Sequence, residues 1–212
     1  MAGNIILCSK GQAVASQLAH VLPNSLSFYN VLCITTPANT HLPEKRTWQD
    51  DEMQAFEAAG LKLQKWDIAE HTEDENARVL GDADIVYVTG GNVYYLLEQM
   101  NIKNIKPSLE ALLARGGTYI GCSAGAAVVC QNVAVAGDLD DVTKSNLKDF
   151  TGLSLVPFNL MVHTDNQKYA EKIAHLIEKQ RESKTPLITL RDNEAISVHG
   201  SIIEVIPCAS SV

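Results

Sequence analysis

The chain has 212 residues, 46% of them hydrophobic, with 25 acidic residues against 17 basic ones and a formal net charge of −8. That length supports one well-buried core, expected as one domain over residues 1–212, and the scattered cations argue against a nucleic-acid surface, which needs clustered Lys and Arg. No run is long enough to span a bilayer, Met1–Asn4 lacks the basic start and apolar stretch of a signal peptide, and the five cysteines form no CxxC pair; the expectation is a cytoplasmic protein with reduced thiols and no zinc site or disulfide framework.

Asn4–Ser9 is a continuous apolar run, the pattern of a parallel strand covered on both faces. Gly11–Leu22 carries Val14, Leu18 and Val21 at helical spacing and is stopped by Pro23 and Asn24. Val31–Thr35 is the second strand; it ends in the turn cluster Thr36-Pro37-Ala38-Asn39, at the sheet end where open α/β folds hold ligands. A polar stretch leads into a helix reaching Ala59, Leu61–Trp66 alternates as a strand near the sheet edge, and a short helix follows around Asn76–Leu80. Ala83–Thr89 is a strand that runs into Gly90-Gly91-Asn92 and the helix Val93–Met100, after which Pro107 opens a helix over Ser108–Ala114.

Gly116–Ile120 is the next buried strand, and it passes through Gly121-Cys122-Ser123-Ala124-Gly125 into the small-residue run Ala126–Cys130. G-x-S-x-G between a strand and a helix describes a nucleophile elbow, in which a strained bend projects the central hydroxyl clear of the backbone. Ser123 holds that central position, while Cys122 points its side chain elsewhere. Side chains at Gly121 and Gly125 would collide where strand and helix approach, and the helix N-terminus at Ser123 favours developing negative charge. Beyond the elbow the patterns predict a short strand at Val133–Gly137, an acidic loop over Asp138–Asp149, strand-like runs at Leu153–Pro157 and Leu160–His163, and a long helix over Asn166–Lys184. Leu187–Leu190, Ala195–Val198 and Ile202–Ile206 read as a closing meander, with a turn at Asp192-Asn193.

A serine hydroxyl needs a base, an acid that orients the base, and donors for the oxyanion. Among the six histidines, His163 alone ends an apolar strand downstream of the elbow. Asp138, Asp140, Asp141 and Asp165 all qualify for the orienting role, and their spacing does not separate them. Gly90-Gly91-Asn92 is the candidate oxyanion loop, pairing a glycine N–H with that of Ala124. Neither glycine cluster forms G-x-G-x-x-G after the first strand, so no dinucleotide cofactor is expected.

Tyr119–Ala126 resembles the G-x-S-A-G-A nucleophile turn of the peptidase E (aspartyl dipeptidase) family of serine peptidases, whose fold is that of the class I glutamine amidotransferase-like proteins, and Val88–Leu97 resembles the same family's G-G-N segment before a helix. The resemblance covers most of the chain. It implies a three-layer α/β sandwich with a mostly parallel central sheet and an antiparallel C-terminal edge. It also implies Ser123 as nucleophile, His163 as base, Asp138 as third triad member, and Gly91 and Ala124 as oxyanion donors, acting on short peptides with an N-terminal aspartate without metal or cofactor, in a monomer or homodimer. The family commonly sets its base in N-P-H-F, whereas this chain has Met161-Val162-His163-Thr164-Asp165. Asp165, two residues after His163, is second choice for the orienting role, and the departure motivates an alternative, a catalytically silent member that binds a ligand or protein partner.

Overall fold

Continuous apolar strands with side chains pointing alternately to opposite faces bury both faces of a sheet only when helices cover each side. The computed structural model, which describes residues 3–206 and Cys208, has this arrangement; Met1 and Ala2 of the N-terminal stretch lie outside the described residues. In chain order the elements are β1 (Asn4–Cys8), α1 (Gly11–Ala15), α2 (Leu18–Val21), β2 (Val31–Ile34), α3 (Thr47–Ala58), β3 (Leu63–Trp66), α4 (Glu73–Asp82) and β4 (Ile85–Val88). Then come α5 (Val93–Ile102), α6 (Ile105–Ala114), β5 (Thr118–Cys122), α7 (Ala124–Ala127), β6 (Asn159–Met161), α8 (Ala170–Gln180), β7 (Leu187–Thr189), β8 (Ala195–His199) and β9 (Ile202–Ile206).

The main sheet runs β3-β2-β4-β5-β1-β8-β9. The first five strands are parallel, and β8 and β9 add an antiparallel edge. Ile5, Leu7, Val86, Val88 and Tyr119 face one core with Leu80, Leu96, Leu109 and Ala126 from α4 to α7. Ile6, Cys8, Ile85, Tyr87 and Ile120 face the other, with Val14 of α1 and Met53 and Phe56 of α3. The fold is thus the expected three-layer α/β sandwich. Each such fully buried Leu, Ile or Phe contributes about 1.5–3 kcal/mol.

Several local expectations are corrected. The first helix is two short ones, α1 and α2. Val133–Leu139 forms 3₁₀ turns; Val133 and Val135 are buried while Ala134 is exposed, which imitates strand alternation, but Asn132 caps the turn by accepting the Ala134 N–H at 2.8 Å. Leu153, Leu155 and Val156 are buried as loop, with Leu153 and Leu155 donating to the carbonyls of Val128 and Val129, each at 2.8 Å. An apolar run fills a core equally well in either form. Pro107 lies inside the first turn of α6, where its missing N–H leaves no hydrogen bond unmade, and not at the opening position. The long C-terminal helix is confined to α8, preceded by a 3₁₀ turn at Gln167–Tyr169. The closing meander reduces to β8 and β9, because β7 pairs in parallel with β6 in a separate two-stranded sheet.

The register of the central strands sets out the site. Cys8 lies beside Cys122, and Val88 beside Gly121. The chain therefore leaves β1, β4 and β5 at one level, and Ser9, Gly90-Gly91 and Ser123 emerge together at the carboxyl end of the sheet.

Candidate active site

Ser123 has φ 50° and ψ −107°, a positive-φ conformation that non-glycine residues adopt at a cost. Its surroundings fix that bend. The Ser123 N–H donates to the Cys8 carbonyl at 3.0 Å, and the Ser123 carbonyl accepts from Ala126 and Ala127 at 3.0 and 2.9 Å. A Cβ at Gly121 would sit 2.3 Å from the Gly125 oxygen, and one at Gly125 would sit 2.3 Å from the Val88 oxygen. Both glycines are thus required by the close approach of α7 to β5 and β4. Cys122 points into the core beside Cys8, where burial pushes its thiol well above the ordinary range; a thiol held protonated is a poor nucleophile.

His163 follows β6, also at positive φ, 60°. Its Nε2 is 3.0 Å from Ser123 Oγ, and its Nδ1 is 2.5 Å from Asp192 Oδ1. An ionised carboxylate only accepts, so the Nδ1 proton faces Asp192 and the Nε2 lone pair faces the serine hydroxyl. Ser9 joins the pair by accepting the His163 backbone N–H at 2.9 Å and donating its hydroxyl to Asp192 Oδ1 at 2.9 Å. Lys10 Nζ stands 2.7 Å from Asp192 Oδ2, and Asp165 Oδ1 accepts the Asp192 backbone N–H at 2.9 Å. Burial raises the Asp192 pKa, but Lys10, His163 and Ser9 together outweigh it and leave the carboxyl below its ordinary value.

Asp138, the expected orienting acid, stands apart from this group: its side chain is 77% exposed, 3.9 Å from Lys172, and makes no contact with His163. Gly137 at φ +51° turns the chain here, so that Asp138 faces outward and Asp140 inward. Asp140 Oδ2 accepts the Val93 N–H at 2.8 Å. Burial raises its carboxyl to about 6 against the opposing pull of that hydrogen bond and of His163. Asp141 caps a surface turn through Thr143, and Asp165 supports Asp192 without reaching the His163 ring.

The Gly90-Gly91-Asn92 loop abuts Ser123: a Cβ at Gly90 would lie 3.3 Å from Ser123 Cβ. Gly91 has φ +138°, and a Cβ there would meet the Pro37 oxygen at 2.3 Å. Asn92 caps α5 by accepting the Tyr95 N–H at 2.9 Å and donates to the Asp141 carbonyl at 2.9 Å, tying the loop to the Asp140 segment. Among the described residues neither the Gly91 nor the Ala124 N–H has a hydrogen-bond partner. Two clefts adjoin Ser123, His163 and Asp140. One, of about 130 Å³, is mainly apolar, with Ala127, Leu160 and Val162 in its wall. The other, of about 430 Å³, opens past Gly91, His41 and Trp48. Among the described residues no three His, Cys, Asp or Glu side chains are grouped to hold a metal ion.

Residues 5–206 match peptidase family S51. The chain belongs to that family. An uncharacterized peptidase of Listeria monocytogenes is 30% identical over 77% of this chain and 80% of its own. A Drosophila melanogaster protein named as a probable alpha-aspartyl dipeptidase is 28% identical over 61% of this chain and 56% of its own. The crystal structure of a Listeria monocytogenes protein classed with peptidase E superposes with a TM-score of 0.86 at 26% identity, covering 96% of this chain and 97% of the other. The S51 chain is a serine-type peptidase, a hydrolase of the peptidase E group. No helix among its described residues is long and apolar enough to cross a membrane.

The sequence reading missed Ser9, Lys10 and Asp192 at this site. Ser9 carried a usable signal, since β1 and β5 lie side by side and the residue after β1 must neighbour the residue after β5. Asp192 read only as half of an Asp-Asn turn.

Proposed function

We propose that this S51 peptidase hydrolyses short peptides through an acyl-enzyme, with Ser123 as nucleophile, His163 as general base and then acid, and Asp192 as the acid that orients His163. The observation that carries this reading is the unbroken line from Ser123 Oγ to His163 Nε2 at 3.0 Å and from His163 Nδ1 to Asp192 Oδ1 at 2.5 Å. As Ser123 Oγ attacks the scissile carbonyl, its proton passes to Nε2, and the imidazolium that forms is stabilised by the ionised Asp192. The carbonyl oxygen, now negative, accepts from the Gly91 N–H in the loop before α5 and from the Ala124 N–H at the start of α7. Nε2 then returns the proton to the leaving amine, and water repeats the sequence on the ester.

Substrate size is supported by the modest clefts beside Ser123, of about 130 and 430 Å³. An N-terminal aspartate has support only from a relative's name. Lys10, the cation beside Ser123 and His163 in the open cleft, is paired with Asp192, and Asp140 is an acid.

Hydrolysis of Asp-X, Glu-X, Ala-X and Leu-X dipeptides and chromogenic amides by four proteins tests the reading. Ser123→Ala is expected to abolish turnover, and Asp192→Asn to reduce kcat by about 10⁴, the loss that follows when the base is held in the wrong tautomer. Asp138→Asn, at an exposed position, is expected to stay within about twofold of wild type. A severe loss in Asp138→Asn with a mild one in Asp192→Asn overturns the assignment.

A further inference from the structure

Two polar side chains of α3, Gln49 and Glu52, are buried on a helix whose Met53 and Phe56 fill the apolar core. Glu52 is bonded to the Tyr87 hydroxyl. Gln49 bridges the ends of two strands: its Nε2 lies 3.1 Å from the Thr35 carbonyl, just past β2, and 2.8 Å from Thr89 Oγ1, just past β4. A carbonyl only accepts, so the amide nitrogen faces Thr35 and gives its second proton to Thr89. The Thr89 oxygen is thereby an acceptor from Gln49, and its own proton is left for the Gly90 carbonyl at 3.2 Å. Thr89 is fully buried, and its N–H is committed to the Ile34 carbonyl at 3.2 Å. The relay from Gln49 through Thr89 thus has one direction, and it ends on the Gly90-Gly91 loop.

Building on the peptidase reading, we propose that Gln49 and Thr89 are positioning residues that aim the oxyanion donor, the N–H of the Gly90-Gly91 peptide. The Gly90 carbonyl and the Gly91 N–H belong to one planar trans peptide and point in opposite directions. Holding the carbonyl toward the buried Thr89 hydroxyl turns the N–H the other way, toward the open cleft that Gly90, Gly91 and Ser123 line. The peptide needs such a hold, because it joins two glycines, the residues least restricted in φ and ψ, with Gly91 at φ +138°. Beyond it the Asn92 N–H donates to the Pro37 carbonyl at 2.9 Å, which pins the far side of the loop and leaves the plane between the glycines to Thr89. A peptide plane fixed before the reaction needs no reorganisation as charge develops on the substrate oxygen, and that is what makes an oxyanion site effective. Neither Gln49 nor Thr89 lines either cleft beside Ser123, so both act through the loop and not on the substrate.

The test measures the dipeptide and chromogenic amide panel with wild type, Thr89→Val, Thr89→Ser, Gln49→Leu, Gly91→Ala and the double variant Thr89→Val/Gly91→Ala. Ser123 in each is titrated to completion with a fluorophosphonate, so that kcat is expressed per labelled, folded site. Thr89→Val keeps the shape and loses the hydroxyl; it is expected to lower kcat by about 10- to 100-fold with KM within about twofold, part of the loss that follows removal of a whole oxyanion donor. Thr89→Ser restores the hydroxyl and is expected to return kcat to within about threefold of wild type. Gln49→Leu frees the Thr89 hydroxyl to turn away from Gly90 and is expected to fall as Thr89→Val does. Because Gly91→Ala already displaces the donor, adding Thr89→Val to it is expected to cost no more than about threefold further, whereas independent structural roles would multiply the two losses. Should Thr89→Val yield no labelled protein, the same cycle is read with Gln49→Leu. Wild-type kcat in Thr89→Val and Gln49→Leu, or losses that multiply in the double variant, overturns the inference and leaves the serine mechanism standing. Wild-type protein that neither turns over the panel nor takes the label refutes the mechanism and this inference with it.

Discussion

Glu52 is a buried carboxyl on α3, 5% exposed, bonded to the Tyr87 hydroxyl and lying beneath the open cleft. Burial raises its pKa from 4.5 to about 7, although Tyr87, Cys122 and the Gly90 N–H each pull it down. The folded protein thus holds a proton that the unfolded chain releases near pH 4.5. Because the folded pKa is the higher one, the group costs nothing below about pH 4.5, and folding stability declines as pH rises from there to about 7, then levels off. At 1.36 kcal/mol per unit, the shift amounts to about 3 kcal/mol of lost stability at pH 8. Glu52→Gln retains an oxygen for the Tyr87 hydroxyl and removes the titration. Urea unfolding of both proteins at pH 4.5, 6 and 8, taking the difference at each pH so that other titrations cancel, is expected to show the variant gaining about 3 kcal/mol on wild type across the window. A difference independent of pH from 4.5 to 8 would refute the argument, since it would mean that Glu52 ionises as readily in the fold as in water.

Gly91→Ala, which drives a Cβ to within 2.3 Å of the Pro37 oxygen and so displaces the loop donor, is expected to cost about 10²–10³ in kcat, measured with the dipeptide panel. Lys10→Met breaks a half-exposed pair with Asp192, worth at most about 1 kcal/mol, and is expected to lower kcat/KM no more than about fivefold; a loss near that of Asp192→Asn would make Lys10 part of the chemistry.

The elbow was legible because its cause is local. Gly121, Ser123 and Gly125 declare a strand-to-helix turn within five residues, and the steric contacts at both glycines are with that turn and the adjacent strand. The parallel core was legible for a similar reason, since two-sided burial leaves continuous apolar runs in β1, β2, β4 and β5. The carboxylate that bonds His163 was not, because nothing local distinguishes Asp192 from Asp138. Both stand in polar turns, and what separates them is which turn the tertiary fold lays against His163. Asp138 is diverted outward by the positive φ of Gly137, a conformation that the bare sequence does not specify.

The pairing of β7 with β6, the fold's main departure from expectation, is also what brings His163 and Asp192 together. The two strands are parallel, with Met161 beside Thr189, so their carboxyl ends lie side by side. Leu190 N–H donates to the Met161 carbonyl at 2.8 Å and Thr164 N–H to the Leu190 carbonyl at 3.1 Å, carrying the register just past both ends, where His163 and Asp192 stand. The antiparallel β8 does the complementary work. It pairs Ala195 with Cys8, so the turn that precedes it lies at the same end of the sheet as Ser9 and Ser123. A parallel strand in that place would have put its preceding turn at the opposite end. Asp192 is therefore delivered by two constraints, the parallel ribbon that sets it beside His163 and the antiparallel edge that sets it over the carboxyl end of β1, with Ser9 bonding to both residues where they meet.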